Sequence, residues 1–600
     1  MHSAPDATPV PAPARHTVTA AEVIPGDLLA LSPEAAAEHT WYVVMHTLPE
    51  TPDTLRVTLR PPLGGTDRAE LFDRCRTLTV ADRRMDTARI PYAVSSDLRT
   101  VALHDGDRVT ALRAVDPLAT EETYTRRWGV WHRDLDHPAE TPLQDAELRA
   151  WAEPGADQEH QEYLVRHHAR PGRESAVTER RRRVVVTGLG AITPLGVGVG
   201  ELWQGLLDGR HGIRALDGPE FAELPVRTGA LVPVDLAELL PRQRARRMNR
   251  SAQLALIAAR EAWQDGGFDP AGTRESGLDP DRVGVSVGTI IGGAPVLVDG
   301  DRQLRDKGPR AVSPLTTPMT VPSQAASQVS LGLHITGEAR TVTSACASGT
   351  EAIGQAIDRI RYGHLDVALA GGAEAVVTPA LMAAFASMRA LSTHELGTGV
   401  YGTPSRPFAK DRDGFVNGEG AGFLLLESEE HARARGARVY CEAAGWGLSA
   451  DAHHMAAPDP SGRGITLAVR RAVRDAGGYV VDVLHVNAHA TATVDGDLAE
   501  AGALRDVLGA GVGRVPVTAL KGHLGHLQGA AGGVEAVAAA LTLHHGVIPP
   551  TIGGEELDDG VELDVVTGAP RVLPVGGGDL VLSNSFGFGG HNAVLVLRRG

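Results

Sequence analysis

TVTSACA, residues Thr341–Ala347, running on into SGTEAIGQAIDRIRYGHLDVALAGGAEA as far as Ala375, is the stretch from which the fold is read. Thr341, Val342 and Thr343 make a short β-branched run, a strand signal. The run stops at Ser344-Ala345-Cys346. Ile353, Ile357 and Ile360 then recur at spacings of four and three, the period of a helix. The Cys346 thiol is thereby placed where a strand ends and a helix begins. Unpaired N–H groups and the positive end of a helix dipole favour thiolate over thiol at such a place. A buried structural cysteine is the plain alternative, because free cysteine packs as a small hydrophobe.

From Arg183 onward the same alternation of strand and helix continues in both directions from this unit. VVVTGLG precedes helical ELWQGLLDG, and SAQLALIAAREAWQDGG precedes VGVSVGT; DVALAGG and GAGFLLLE follow the Cys346 unit. A second series runs RVYCEAAGWG, helical GITLAVRRAVRDAG, VLHVNAHAT, ALRDVLG, VPVTAL, GVEAVAAALTLHHG and DLVLSNSFGFGGHNAVLVLRR. Apolar strands separated by amphipathic helices belong to sheets covered on both faces. Two series of similar length point to a duplicated core with α/β/α/β/α layers. The halves are expected at 180–435 and 436–600. The glycines of VTGLG and SVGTIIGG do not complete G-x-G-x-x-G with a ribose-binding acid, so a dinucleotide site is not expected.

The first third has another texture. Residues 1–15 are rich in Pro and Ala and read as a disordered tail. Over 16–152, short alternating segments such as TWYVVMHTL, TLRVTLRP and TVALHDGDRVTALRAV are broken by Pro-Gly-Asp, Pro-Pro and Asp-Gly-Asp. They predict a small all-β domain, with a barrel as one arrangement. Cys75 has no histidine near it, and His39, His46 and His104 lack metal-ligand spacing, so a structural domain for docking or dimer support is expected. Residues 153–179 are polar, with Pro-Gly at both ends, and read as a linker with a short helix around Gln158–His168. Four arginines, Arg180–Arg183, then abut the first buried strand; an acidic carrier or a phosphate is one partner they could meet.

Composition narrows the class. Six hundred residues exceed one core, so two or more domains are expected. The net charge of −16 argues against nucleic acid as the main partner. Three cysteines imply no disulfide framework and fit a reducing cytoplasm. The N-terminus lacks the features of a signal peptide. No apolar run approaches the roughly 18 residues of a membrane span. A cytoplasmic protein away from the membrane is expected.

The chemistry-bearing residues all follow strands. His489 comes just after Val483–Val486, and Lys521 and His526 come after Val515–Leu520. The glycine-rich Phe586–Gly590 follows Leu580–Ser583. Sites in α/β sheets gather at such carboxyl ends. Alone, each histidine reads as a satisfied polar residue; four such elements, one bearing a thiol, read as a site.

TSACASGTEAIG, VNAHATAT, LKGHLGHLQGAAGGVEA and NSFGFGGHN, with RPFAKDRDGFVNGEGAG between them, resemble the β-ketoacyl-acyl-carrier-protein synthases of thiolase fold, in the elongating Cys-His-His branch. The resemblance covers about Arg180 to Gly600 and leaves the first 180 residues as an addition. It implies that Cys346 takes an acyl chain as a thioester. His489 and His526 would donate N–H to the enolate left when malonyl thioester loses CO2. Lys521 matches the lysine that orients the second histidine. The backbone N–H groups of Cys346 and Phe588 would form an oxyanion hole, with Phe586, Gly587, Phe588, Gly589 and Gly590 as a movable gate. Thr491 and Thr493 match the pair that binds the phosphopantetheine arm. Glu500 matches a glutamate buried near the lysine, with a plain helix ion pair as its alternative, and Glu535 counts with it as a supporting residue. No cofactor and no metal are implied. The implied partners are acyl carrier protein and a second copy of the chain, or a ketosynthase-like partner in a heterodimer.

The pattern is not copied throughout. Ala490 and Ala492 stand where Gly and Ser are usual, His591 and Ala456 where Thr is usual, and Ala409 where Asp is usual. These departures sit mostly around gate and pocket and point to an unusual acyl substrate or partner rather than to loss of activity. Two rivals remain. A thiolase acting on coenzyme A esters uses a second cysteine near the chain end, whereas the last one here is Cys441. A silent chain-length or scaffolding partner lacks the nucleophile, typically with Gln in its place.

Overall fold

The computed structural model describes residues 181–600 apart from 555, 576 and 577 and, between 15 and 133, the backbone of eleven strands. The chain divides into two compact units, Met1–Thr178 and Glu179–Gly600. In the first unit the described strands fall into two antiparallel sheets, of six and five strands. The tail before Arg15, the linker over 153–179 with its helix, and the side chains of His39, His46, Cys75 and His104 lie outside the described residues.

The second unit is built on β1 (Val184–Thr193), β2 (Val283–Gly288), β3 (Glu338–Val342), β4 (Val367–Ala375) and β5 (Glu419–Ser428). It continues with β6 (Cys441–Ala450), β7 (Val483–Asn487), β8 (Pro516–Thr518), β9 (Asp564–Val565), β10 (Leu580–Gly587) and β11 (His591–Arg598). Their order in space is β3-β2-β4-β5-β1-β6-β11-β10-β7-β8-β9. Apart from the edge strand β9, the second half repeats the first in mirror order. In each half the second strand pairs in parallel with the third and fourth, and the last strand runs antiparallel between the fourth and the first. The halves meet where β1 pairs with β6. That is the duplicated core.

Its helices complete five layers. The principal ones are α1 (Arg250–Asp265), α2 (Gln324–Leu333), α3 (Ser348–Arg361), α4 (Arg463–Asp475), α5 (Val494–Leu508) and α6 (Ala531–His545). Residues 531–543 of α6 are all buried, as a helix apolar on every side requires. It packs on β4 and β5 on one side and on β10 and β11 on the other, and α3 lies beside it between the same sheets. α1 and α2 cover the outer face of the first sheet, and α4, with α5 against it, covers the second. All ten residues of β1 are buried, which is why VVVTGLGAIT runs apolar without alternation.

The two central helices follow equivalent strands, β3 and β8, and cross near their N-termini. A Cβ on Gly349 would lie 2.8 Å from the Gly533 nitrogen and 2.9 Å from the Gly529 carbonyl oxygen. Only glycine lets the backbones approach this closely, so any side chain at Gly349 would push apart the strand ends that carry the site.

Three arginines of the cluster at the start of β1 are paired within the fold. Arg181 pairs with Asp475, Arg182 with Asp366, and Arg183 with Glu429 and Glu442. These ion pairs tether the start of the strand. No helix among the described residues is long and apolar enough to cross a membrane.

Candidate active site

Cys346 sits in the turn between β3 and α3, 5% exposed. Ala345 before it holds φ +50°, a left-handed conformation that costs a non-glycine residue about 1 kcal/mol or more. Ser348 Oγ locks the turn, accepting from Ser344 N–H (2.9 Å) and donating to the Ala345 carbonyl (2.6 Å). Gly587 presses on the turn from β10: a Cβ there would lie 2.8 Å from Cys346 N. The result is a sulfur aimed away from the helix into a cavity.

His526 Nε2 lies 3.1 Å from Cys346 Sγ. His489 completes the group: one ligand atom from each of Cys346, His489 and His526 lies within 4.8 Å of the others. The imidazole centroids are 5.4 Å apart and nearly perpendicular, and Phe415 meets His526 edge-on at 5.3 Å. Burial drives both histidines well below the ordinary imidazole range, and the Lys521 charge pushes the same way, so both rings are neutral. Gln528 N–H donates to His526 Nδ1 (3.3 Å). The His526 proton is therefore on Nε2, facing the sulfur. The spacing of the three atoms would suit a metal ion, but this tautomer removes the lone pair that a metal would need.

The sulfur's protonation differs from the expectation at a helix start. Burial pushes the Cys346 thiol up to about 11; Lys521 and the backbone N–H groups of Phe588 and Cys346 pull it down but do not win. At neutral pH the group is a thiol, whose S–H points to Gln528 Oε1 at 3.6 Å.

Lys521 is buried and pairs with Glu535 at 2.5 Å, while its Nζ also donates to the His489 carbonyl oxygen. Desolvation raises the Glu535 carboxyl, and the lysine ammonium draws it back. The hydrogen bonds of Lys521 thus hold the His489 turn, and only its field reaches His526. Glu500 accepts from the N–H groups of His489 (2.9 Å) and Ala490 (2.8 Å) and from Asn584 Nδ2 (3.0 Å). It fixes the loop after β7 in place of forming a helix ion pair. Thr491 and Thr493 line the cavity with their hydroxyls 3.0 Å apart. Phe586 stands 5.9 Å from the His489 ring, and Gly589 and Gly590 turn with φ +80° and +73°. Gly589 N–H donates to the Met455 carbonyl, and Asp451 N–H to the Gly590 carbonyl, so the glycine loop rests on the 451–459 segment.

One thiol and two neutral imidazoles thus meet at the ends of strands from both halves of the core. The family model for the β-ketoacyl synthase N-terminal domain matches residues 181–432, and that for the C-terminal domain matches 440–555. The chain belongs to the β-ketoacyl synthase family. Its reaction is therefore acyl transfer with formation of a carbon–carbon bond. It is 41% identical over 423 residues to 3-oxoacyl-[acyl-carrier-protein] synthase 2 of Synechocystis, covering 70% of this chain and 98% of the relative. The protein of the same name from Staphylococcus aureus is 40% identical over 421 residues, covering 70% and 99%. Among solved structures, the ishigamide ketosynthase/chain length factor superposes with TM-score 0.63 at 37% identity, covering 70% of this chain and all of that one. A type II polyketide acyl-carrier protein in complex with its ketosynthase, bound to the hexaketide, gives 0.64 at 31%, with the same coverage.

Within this family frame, the departures acquire a geometry. Ala490 and Ala492, both buried, hold φ +24° and +66°, the region that favours glycine. His591 is exposed, with its ring against Gly589 of the glycine-rich loop. Ala409 is buried, and a Cβ on Gly554 would lie 2.0 Å from its own, so only glycine fits at 554 beside it. Sequence reasoning passed over Gln528, Asn417, Phe415 and Asp451. Gln528, Asn417 and Phe415 stood inside quoted motifs, but only folding brings Gln528, Phe415 and Asp451 to the cavity and sets Asn417 behind the Gln528 amide.

Proposed function

We propose that this chain condenses an acyl thioester with malonyl-[acyl-carrier-protein] in type II fatty acid or polyketide assembly. Cys346 Sγ attacks the carbonyl carbon of the acyl thioester while its proton passes to the departing pantetheine thiolate. The N–H groups of Cys346 and Phe588 hold the oxyanion. Malonyl thioester then enters past Thr491 and Thr493. Its carbon–carboxylate bond breaks, CO2 leaves, and the electron pair becomes an enolate whose oxygen takes Nε2–H bonds from His489 and His526. The enolate carbon attacks the acyl carbonyl, Cys346 departs as thiolate, and one proton from solvent restores the thiol. Lys521, paired with Glu535 and placed by the His489 carbonyl, supplies positive potential, and Glu500 fixes the His489 loop.

The observation that carries this reading is the 4.8 Å cluster of one sulfur and two neutral imidazoles on a cavity wall. Intact mass after incubation with an acyl-carrier thioester tests it. An acyl adduct on the native chain, absent from Cys346→Ala, supports it; an adduct retained by Cys346→Ala contradicts it.

The partner of this reading is an acyl carrier protein, and the working form is a homodimer. Among the described residues strand β3 pairs with β2 alone and forms an edge, with residues 339 and 340 exposed. Leu331, on the helix packed against it, is 64% exposed, and Leu297 on the helix Ala294–Lys307 is 55% exposed. An open edge beside apolar side chains is what a second sheet covers. A heterodimer with a ketosynthase-like partner would use the same edge. Three cysteines in 600 residues fit a cytoplasmic enzyme.

A further inference from the structure

Gln528 belongs to the wall of the cavity, yet the condensation chemistry leaves its side chain without a task. It is 2% exposed. Its Oε1 lies 3.6 Å from Cys346 Sγ, and its Nε2 donates to Asn417 Oδ1 at 2.8 Å. Asn417 is itself wholly buried, with Nδ2 directed at the Met382 sulfur. Gln528 holds φ +53°, so a strained backbone and a buried partner together aim the amide at the nucleophile.

In the free enzyme the thiol satisfies this amide. Acylation removes the S–H, and Oε1 then faces the first carbons of the acyl chain without its donor. A buried polar group that loses its partner is costly, and a saturated chain offers no replacement. A hydroxyl on the β-carbon does. Turning the Asn417 and Gln528 amides together presents Nε2–H instead, which suits a β-oxo oxygen. The β-carbon is three bonds from Sγ, so an oxygen on it comes within hydrogen-bonding reach of an atom 3.6 Å from that sulfur.

We propose that Gln528 is a specificity-determining residue that selects acyl groups oxygenated at the β-carbon, 3-hydroxyacyl or 3-oxoacyl thioesters, over saturated chains. This rests on the condensing-enzyme reading and narrows it: the reaction supplying the substrate is a previous condensation whose β-oxo group has not been fully reduced. A site built to hydrogen-bond a substrate oxygen rejects the analogue lacking it far more strongly than a hydrophobic pocket rejects an added methylene.

The experiment compares loading of Cys346 on the full chain by hexanoyl-, 3-hydroxyhexanoyl- and 3-oxohexanoyl-[acyl-carrier-protein], read as kcat/KM for adduct formation by intact mass. The native chain is expected to load at least one 3-oxygenated group about tenfold faster than hexanoyl. Gln528→Leu is expected to bring that ratio to within about twofold while still loading hexanoyl, because it restores an apolar wall. A merely structural role would slow all three substrates together and leave the ratio unmoved. A native enzyme that loads hexanoyl as fast as both oxygenated groups overturns the proposal, whether or not the variant folds. A ratio that survives in Gln528→Leu overturns it as well. Both results leave the condensing-enzyme reading standing, whereas absence of any Cys346 adduct from all three thioesters removes both.

Discussion

Cys346 Sγ and His526 Nε2 stand 3.1 Å apart although 180 residues separate them. They occupy corresponding places in the duplicated core: Cys346 follows the third strand of the first half, and His526 follows the third strand of the second. The helices that come next, α3 and α6, are the buried pair whose N-terminal glycines touch. Duplication thus delivers a thiol from one half and an imidazole from the other to one point. That point also lies at the positive ends of two helices.

The sulfur's environment sets a pH dependence. With the thiol raised to about 11, alkylation of Cys346 by iodoacetamide in the free enzyme should climb about tenfold per pH unit from neutrality and level only near that value. The unfolded thiol ionises near 8.5 and the folded one does not. The contribution is therefore full below about 8.5 and lost as pH rises toward 11, on the order of 3 kcal/mol in all. The alkylation profile checks the first statement, and denaturant midpoints between pH 8 and 11 the second.

On the acid side, His489 and His526 have depressed folded values. Below about 6.5 the unfolded chain takes up protons at these positions and the folded chain does not, so stability falls as pH falls. Malonyl decarboxylation by folded enzyme should stay flat from about pH 8 down to about 6, because the donor rings remain neutral. A decarboxylation profile with a step near 6.5 would show a titrating imidazole and contradict this.

Removing Lys521 strands a carboxyl at Glu535 that is 2% exposed. Lys521→Ala should therefore destabilise by about 3–5 kcal/mol. Without the ammonium the buried carboxyl takes up a proton, so adding Glu535→Gln to Lys521→Ala should change little near neutral pH and recover stability as pH rises, where the carboxyl would otherwise have to ionise. Urea midpoints of the two single variants and the double variant measure the coupling.

Ala492 carries a methyl group at φ +66°. Ala492→Gly should stabilise the folded chain by about 0.5–1 kcal/mol, the left-handed penalty less the added freedom of the unfolded chain. Thermal unfolding of the variant checks the sign.

Much of this was legible before folding. Alternating strands and helices in two series gave the layered core, since strands buried on both faces must be apolar throughout. Cys346, His489, Lys521 and His526 were each visible as chemistry-bearing residues directly after a strand. The state of the thiol was not, because a helix start argues for thiolate while desolvation is a property of the whole packed site. Nor was the choice of lysine partner: Glu500 and Glu535 are both helix residues, and only the turn of α6 puts Glu535 beside Lys521. Arg181–Arg183 looked like free charge because their acidic partners lie up to 294 residues away. Gln528 was hidden in a motif whose glycines and histidine carried the reading.

The central claim is that His526 serves the enolate and not the loading of the thiol. Parallel measurement of Cys346 acylation and of CO2 release from malonyl-[acyl-carrier-protein] by His526→Ala tests it most directly. The account predicts an adduct formed to the native extent with CO2 release lowered by about 100-fold or more. Native CO2 release without the imidazole, or loss of the adduct with decarboxylation intact, would contradict it.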